Sequence, residues 1–306
     1  MNASPPPSAQ ALALVRGAFD LHVHVEPDVI PRRIGDLELA RRFAERSLAG
    51  FVLKSHYFPT AERAAVVRKA VPGVEALGAL VLNHAVGGLN PLAVELAARS
   101  GARFIWMPTV DAANEAHEAQ ASPGRKLPLW AKLQLELHQA GLAQPPLGVL
   151  EGGRVRPEVR QVLRVVARHR LVLATGHLGR AEILALFEAA REEGVGQVVI
   201  THPDYPTQDL PLDEQRYLAR QGAFLERCFA PSYSEKVPWE RLFEGIRETG
   251  VAQNFLSTDL GQPQNPPVED GLALFADRLL QAGFTPEEVR TLAVDNPRRL
   301  ARGGTA

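Results

Sequence analysis

The sequence predicts a (β/α)8 barrel with an insertion after the fourth strand. Two features of the chain lead there. Short apolar runs alternate with amphipathic helical segments eight times, the pattern of parallel βαβ units. The 306-residue length suits one closed α/β barrel. A third feature points to where function lies. Six of the nine histidines fall where the apolar runs end, and barrel active sites are built at the C-terminal ends of the strands.

The first run, 18–24, is followed by a helix expected over 36–49, with Leu37, Leu39, Ala40, Phe43 and Ala44 at helical spacing and Gly50 as the terminating glycine. The second run covers 51–56 and its helix 60–70. The third covers 74–84, after which Asn90-Pro91 reads as an N-cap and first helical residue. The fourth covers 102–107. The alternation then pauses over 109–155, read as an insertion with a helix near 130–140 and a small hairpin at 148–155. It resumes with a helix at 157–169. Strands at 171–177, 197–202, 223–228 and 251–259 follow, with helices at 180–193, 212–221, 238–249 and 268–282. Thr285-Pro286-Glu287-Glu288 has the layout of a capping box opening a last helix.

Composition narrows the function classes. Hydrophobic residues make up 45% and charged residues 23%, with a formal net charge of −1. That balance gives no electrostatic footprint for nucleic acid or a membrane surface. Cys228 is the single cysteine, so a disulfide framework within the chain and a Cys-rich zinc module are both excluded. Residues 1–10, rich in Pro and Ser, read as a flexible tail without the basic start and apolar core of a signal peptide. Residues 11–306 are expected to form one domain. No apolar stretch is long enough to span a bilayer. A cytoplasmic protein acting on a small molecule is the expectation, and a homo-oligomer is compatible with it.

The chemistry gathers at the strand ends. In Phe19-Asp20-Leu21-His22-Val23-His24, strand alternation is expected to put Asp20, His22 and His24 on one face. Two neutral imidazoles there form half of a metal site. The second run ends in Lys54 and His56, the third in His84, the fifth in Thr175-Gly176-His177, the sixth in Thr201-His202 and the eighth in Ser257-Thr258-Asp259. Closing the sheet would bring His22, His24, His177, His202 and Asp259 to one mouth as donors for a divalent metal, zinc first, with Mn2+ or Fe2+ as alternatives. Any one of them alone is equally an ordinary hydrogen-bonded strand-end residue. Asp20 is expected to hold a ligating imidazole through its other N–H. His56, His84 and Arg33 are candidates to bind substrate; Arg32 and Arg33 both follow the first strand and either reach an anionic substrate or are solvated loop charges. Glu226 and Cys228 share a face, so one of them is expected to line the mouth. Nothing in the sequence marks Cys228 as a reactive thiolate.

The order HxH, Gly-His, Thr-His-Pro and Ser-Thr-Asp, with Asp295-Asn296-Pro297-Arg298-Arg299-Leu300 near the end, resembles the metal-dependent amidohydrolase superfamily, the dihydroorotase- and phosphotriesterase-like barrels. The resemblance runs from about Phe19 to the C-terminus. It implies that His22 and His24 bind metal, that His177 and His202 bind metal or substrate, and that Asp259 binds metal and takes the proton from an attacking water. It implies a hydrolase of an amide, lactone or related ester-like bond. The chain departs from the pattern at the fourth strand, which ends Trp106-Met107-Pro108-Thr109 without the bridging carboxylated lysine or glutamate of two-metal members. Lys54 is then a displaced carboxylated bridge, a cation for an anionic substrate, or a lysine held by a carboxylate. With one metal, a non-hydrolytic lyase or decarboxylase is the alternative. A metal-binding protein without catalysis is the alternative of another class.

Overall fold

The computed structural model describes residues 5–115 and 128–303. Eight parallel strands form one sheet in the order β1 (Phe19–Val23), β2 (Gly50–Leu53), β3 (Glu75–Val81), β4 (Ala102–Trp106), β7 (Val172–Ala174), β8 (Gln197–Ile200), β9 (Phe224–Cys228) and β10 (Asn254–Ser257). The last strand returns to the first through a parallel bridge between Val23 and Leu260. His24 N donates to Leu260 O at 2.8 Å and Asp259 N to His22 O at 2.9 Å. The barrel therefore closes at its C-terminal rim, where the histidines lie.

Phe19, Leu21, Val52, Ala79, Val81, Phe104, Trp106, Val172, Ala174, Val199, Phe224 and Phe255 fill the interior. Leu300 and Ala301, from the helix Asn296–Arg302, join that cluster. Asn296 Nδ2 donates to the carbonyls of Val251 and Asn254, which ties this helix to the start of β10. The strand faces turned the other way pack on the surrounding helices. Val162, Leu163 and Val166 of the helix Pro157–Arg168, for example, share a cluster with Ile105 and Leu173.

The expected caps at Asn90 and Thr285 form as read. Asn90 Oδ1 accepts from Leu92 N and Ala93 N, and Thr285 and Glu288 satisfy each other's backbone N–H groups. Three expectations need correction. Gly50 does not end the helix Asp36–Glu45; Arg46 caps it and Ser47 takes the left-handed conformation, at φ 57°. Gly50 begins β2, and a Cβ there would fall 2.1 Å from Glu75 O and 2.8 Å from the Phe19 ring. Residues 8–10 are no flexible tail. Ser8 caps the helix Ala9–Leu14 and its hydroxyl reaches Asp277 Oδ1 at 2.5 Å. The third correction is a bulge in β1. Asp20 pairs with Phe51 and Val23 with Leu53, so three steps on one strand match two on the other. Leu21 and His22 therefore both serve the interior, and Asp20 is turned away from His22 and His24.

Of the expected insertion, the helix Leu129–Gln139 and a hairpin of β5 (Leu150–Glu151) and β6 (Arg154–Val155) are present. Residues 116–127, including His117, lie outside the described residues.

Candidate metal centre

The mouth is built from strand ends whose backbone is unusual. His202 and Asp259 have φ of 27° and 52°, a region non-glycine residues seldom occupy and one that recurs at functional sites. Gly176, just before His177, has φ 62°, and a Cβ on it would fall 2.4 Å from Met107 O. His177 N then donates to Pro108 O at 2.9 Å.

His22 Nε2 and His24 Nε2 each lie 3.2 Å from Asp259 Oδ1. These three donors all lie within 4.8 Å of one another. Two imidazole nitrogens and a carboxylate oxygen form a donor set that fits a borderline divalent ion such as zinc. His177 and His202 border the group without joining that set. Their rings are 5.1 Å apart, and His202 lies 6.3 Å from His22 by ring centroids. His56 stacks on His24 at 4.8 Å.

Each mouth imidazole meets a neighbour through Nδ1. His22 Nδ1 meets Glu226 Oε1 at 3.1 Å, His56 Nδ1 meets Thr109 Oγ1 at 2.8 Å, and His202 Nδ1 meets Gln208 Oε1 at 3.2 Å. His177 Nδ1 stands 2.8 Å from Glu115 Oε1, too bent for a good hydrogen bond, and His24 Nδ1 is 3.5 Å from Arg32 Nη2. Nε2 is thus the nitrogen that the rings of His22 and His24 offer to Asp259.

Lys54 is buried, with Nζ 2.8 Å from His22 Nε2 and 5.3 Å from the centre of the Trp106 ring. Burial pushes its pKa down. For His22, burial and the Lys54 ammonium act downward, but Asp259 and Glu226 outweigh them and bring it to about 9. Both groups cannot be protonated at once, since two donors would then face each other. Burial pushes His24, His56 and His202 well below the usual imidazole range, keeping them neutral. Burial works against ionised Asp259, yet His22 and His24 prevail and hold its carboxyl well below the usual range. Burial pushes the Cys228 thiol up, which argues against a thiolate nucleophile.

Several sequence-based assignments change. Asp20 touches neither imidazole ring. Its carboxylate accepts from Thr258 N and Thr258 Oγ1, and burial raises it to about 7. It therefore braces the residue before Asp259. The carboxylate that holds His22 is Glu226. His84 stands away from the mouth, with Nε2 2.7 Å from Pro145 O. Arg33 donates to the carbonyls of Pro263 and Asn265, which leaves it tied to the loop after β10. The buried arginine beside the site is Arg32, paired with Asp28 at 2.7 Å. Glu115 and Gln208 also went unread; their sequence neighbourhoods have no periodicity, and their partners are set only by the folded loops.

The fold and site define a class: a parallel barrel with a histidine–carboxylate cluster at its C-terminal mouth. Residues 17–226 match the model of the Family of unknown function (DUF6282), and the chain belongs to that family. No curated protein matches the sequence. Among solved structures it is similar to an amidohydrolase from Pseudomonas aeruginosa, at 13% identity and TM-score 0.61, covering 95% of this chain and 98% of that one. It is also similar to the probable dipeptidase PvdM from Pseudomonas aeruginosa, at 10% identity and TM-score 0.63, covering 95% and 96%. The organophosphorus hydrolase from Deinococcus radiodurans matches at 16% identity and TM-score 0.54, covering 98% and 99%. At these identities the likeness establishes the barrel fold. Among the described residues, no helix is long and apolar enough to cross a membrane.

Proposed function

We propose that the protein is a metal-dependent hydrolase of an amide, lactone or related ester-like bond in a small molecule. The observation that carries this is the convergence of His22 Nε2, His24 Nε2 and Asp259 Oδ1. The names of the similar barrels, an amidohydrolase, a dipeptidase and an organophosphorus hydrolase, support the same class. A divalent ion held there, zinc first, would lower the pKa of water and polarise a carbonyl. Asp259, with one-fifth of its side chain exposed, is positioned to accept a proton as general base and return it to the leaving group. His202 is neutral at the rim, and with its Nδ1–H on Gln208 Oε1 it would offer Nε2 as an acceptor, to a metal or to a proton in transit. His177 is a further ligand or substrate contact, and His56 a substrate contact.

The end of β4 supplies Trp106 and Met107, which favours one ion over two. Buried Lys54 and Arg32 beside His22 and His24 suit an anionic substrate. They also favour, as a second reading, a single-metal lyase or decarboxylase. Three donors leave a coordination position for substrate, which separates both readings from a closed, non-catalytic metal site.

Asp259→Asn tests the proposal. With zinc-loaded protein and a panel of lactones, dipeptides and aryl esters, turnover should fall about 10²–10⁴-fold while the fold is retained. Undiminished turnover would overturn the general-base role. Carbon dioxide release from unsaturated acids without hydrolysis of the panel would select the lyase reading.

A further inference from the structure

Beneath the mouth lies a second cluster, and the proposed function leaves it without a role. His22 Nδ1, Glu226 Oε1 and Cys228 Sγ lie within 4.8 Å of one another, all buried. Glu226 Oε1 takes two contacts, from His22 Nδ1 at 3.1 Å and from Ser257 Oγ at 2.7 Å. Cys228 Sγ is more distant, at 3.9 Å from His22 Nδ1 and 3.8 Å from Ser257 Oγ. Among the described residues, Glu226 Oε2 is buried without a hydrogen-bond partner.

Two uses of this cluster are chemically open. It could hold its own metal through Nδ1, the carboxylate and the thiol. Alternatively, the carboxylate could fix the proton of His22 on Nδ1. The first would strip Nδ1 of its proton and make one imidazole serve two cations. The second needs only the hydrogen bond already present, and leaves the Nε2 lone pair turned into the mouth, where Lys54 Nζ stands at 2.8 Å and Asp259 Oδ1 at 3.2 Å. Ser257 fits the second use. Its hydroxyl donates to the same oxygen that His22 meets, so the carboxylate is held in register with the ring.

We propose that Glu226, anchored by Ser257, is a positioning residue that commits His22 to the Nδ1–H tautomer and so presents Nε2 as a metal ligand. This rests on the metal-centre reading above and adds to it a residue that touches neither metal nor substrate. Such outer carboxylates orient a ligating imidazole and raise its basicity, and their loss typically costs about 10–100-fold in metal affinity. The arrangement also gives the buried cysteine a passive part, as filler beside the dyad.

The test uses the full chain labelled with ¹⁵N-histidine and loaded with zinc. Two-bond ¹H–¹⁵N spectra of the wild type should show His22 with a proton on Nδ1 and zinc on Nε2. Glu226→Gln should weaken zinc binding about 10–100-fold in a competition assay, and Ser257→Ala should weaken it by a smaller factor. Cobalt substitution adds an independent readout: no thiolate charge-transfer band is expected. Zinc on Nδ1, a cobalt–thiolate band abolished by Cys228→Ser, or wild-type affinity in folded Glu226→Gln would each overturn the inference. Because the spectra are read on the wild type, a Glu226 variant that fails to fold does not rescue it. Absence of any zinc binding by the wild type would instead defeat the metal-centre reading itself.

Discussion

Gly261 lies directly against the carbonyl of His24: a Cβ at position 261 would fall 1.6 Å from that oxygen. The φ of 131° at Gly261 also disfavours any other residue. The loop after β10 thus rides on the first-strand loop, where Arg33 N donates to Gly261 O at 2.7 Å. Gly261→Ala must push the two loops apart, which separates His24 from Asp259. Zinc affinity should fall at least about tenfold, with the far-UV circular dichroism of the barrel retained. Wild-type affinity in that variant would show that the loop contact does not position His24.

Lys54 sits where a cation competes with a metal for His22. Removing it as Lys54→Met takes a donor away from Nε2 without touching Glu226 or Asp259. Zinc should bind this variant at the wild-type stoichiometry and at least as tightly. Loss of one equivalent on metal analysis would identify a carboxylated Lys54 bridging two ions and contradict the single-ion reading.

Arg227 is a structural counterpart to the site. It is fully buried, donating to Asn254 Oδ1 at 2.7 Å, to Gln215 Oε1 at 2.9 Å and to Asp204. Asp204 lies two residues past His202, so the ion pair anchors the turn that carries that histidine. Arg227→Met takes from Asp204 its fully buried partner and leaves it Arg241 at 3.5 Å and Gln215 Nε2 at 2.9 Å, so the loss should be below the about 3–5 kcal/mol of a fully broken buried pair but well above zero. A denaturant midpoint within error of wild type would contradict this.

Glu95 gives a pH dependence away from the mouth. Hydrogen bonds from Arg99 and His169, and then Arg168, hold its carboxyl down at about 2. Its folded pKa lies below the usual 4.5, so its contribution is present above about pH 4.5 and is lost as pH falls toward 2. The slope of unfolding free energy against pH in that window should be shallower in Glu95→Gln than in wild type. Equal slopes would remove Glu95 from the acid response.

The barrel was legible because each strand–helix unit carries its own hydrophobic period, and the strand-end histidines follow from where those periods stop. Contacts between units were not legible. The bulge in β1 adds a single residue, and Leu21 is apolar on either face, so the pattern of the strand gives no sign that Asp20 is turned away from His22. Whether Arg32 or Arg33 reaches the mouth depends on how the loop meets Gly261 and Pro263, more than 200 positions along the chain. Glu226 was readable as far as its face, shared with Cys228. Its pairing with His22 required the neighbouring strand ends to be in place.

Metal content with anomalous scattering from crystals of the zinc-loaded protein tests the central claim most directly. One anomalous peak is predicted, coordinated by His22 Nε2, His24 Nε2 and Asp259. Protein that takes up no metal at these residues under any loading condition would contradict it.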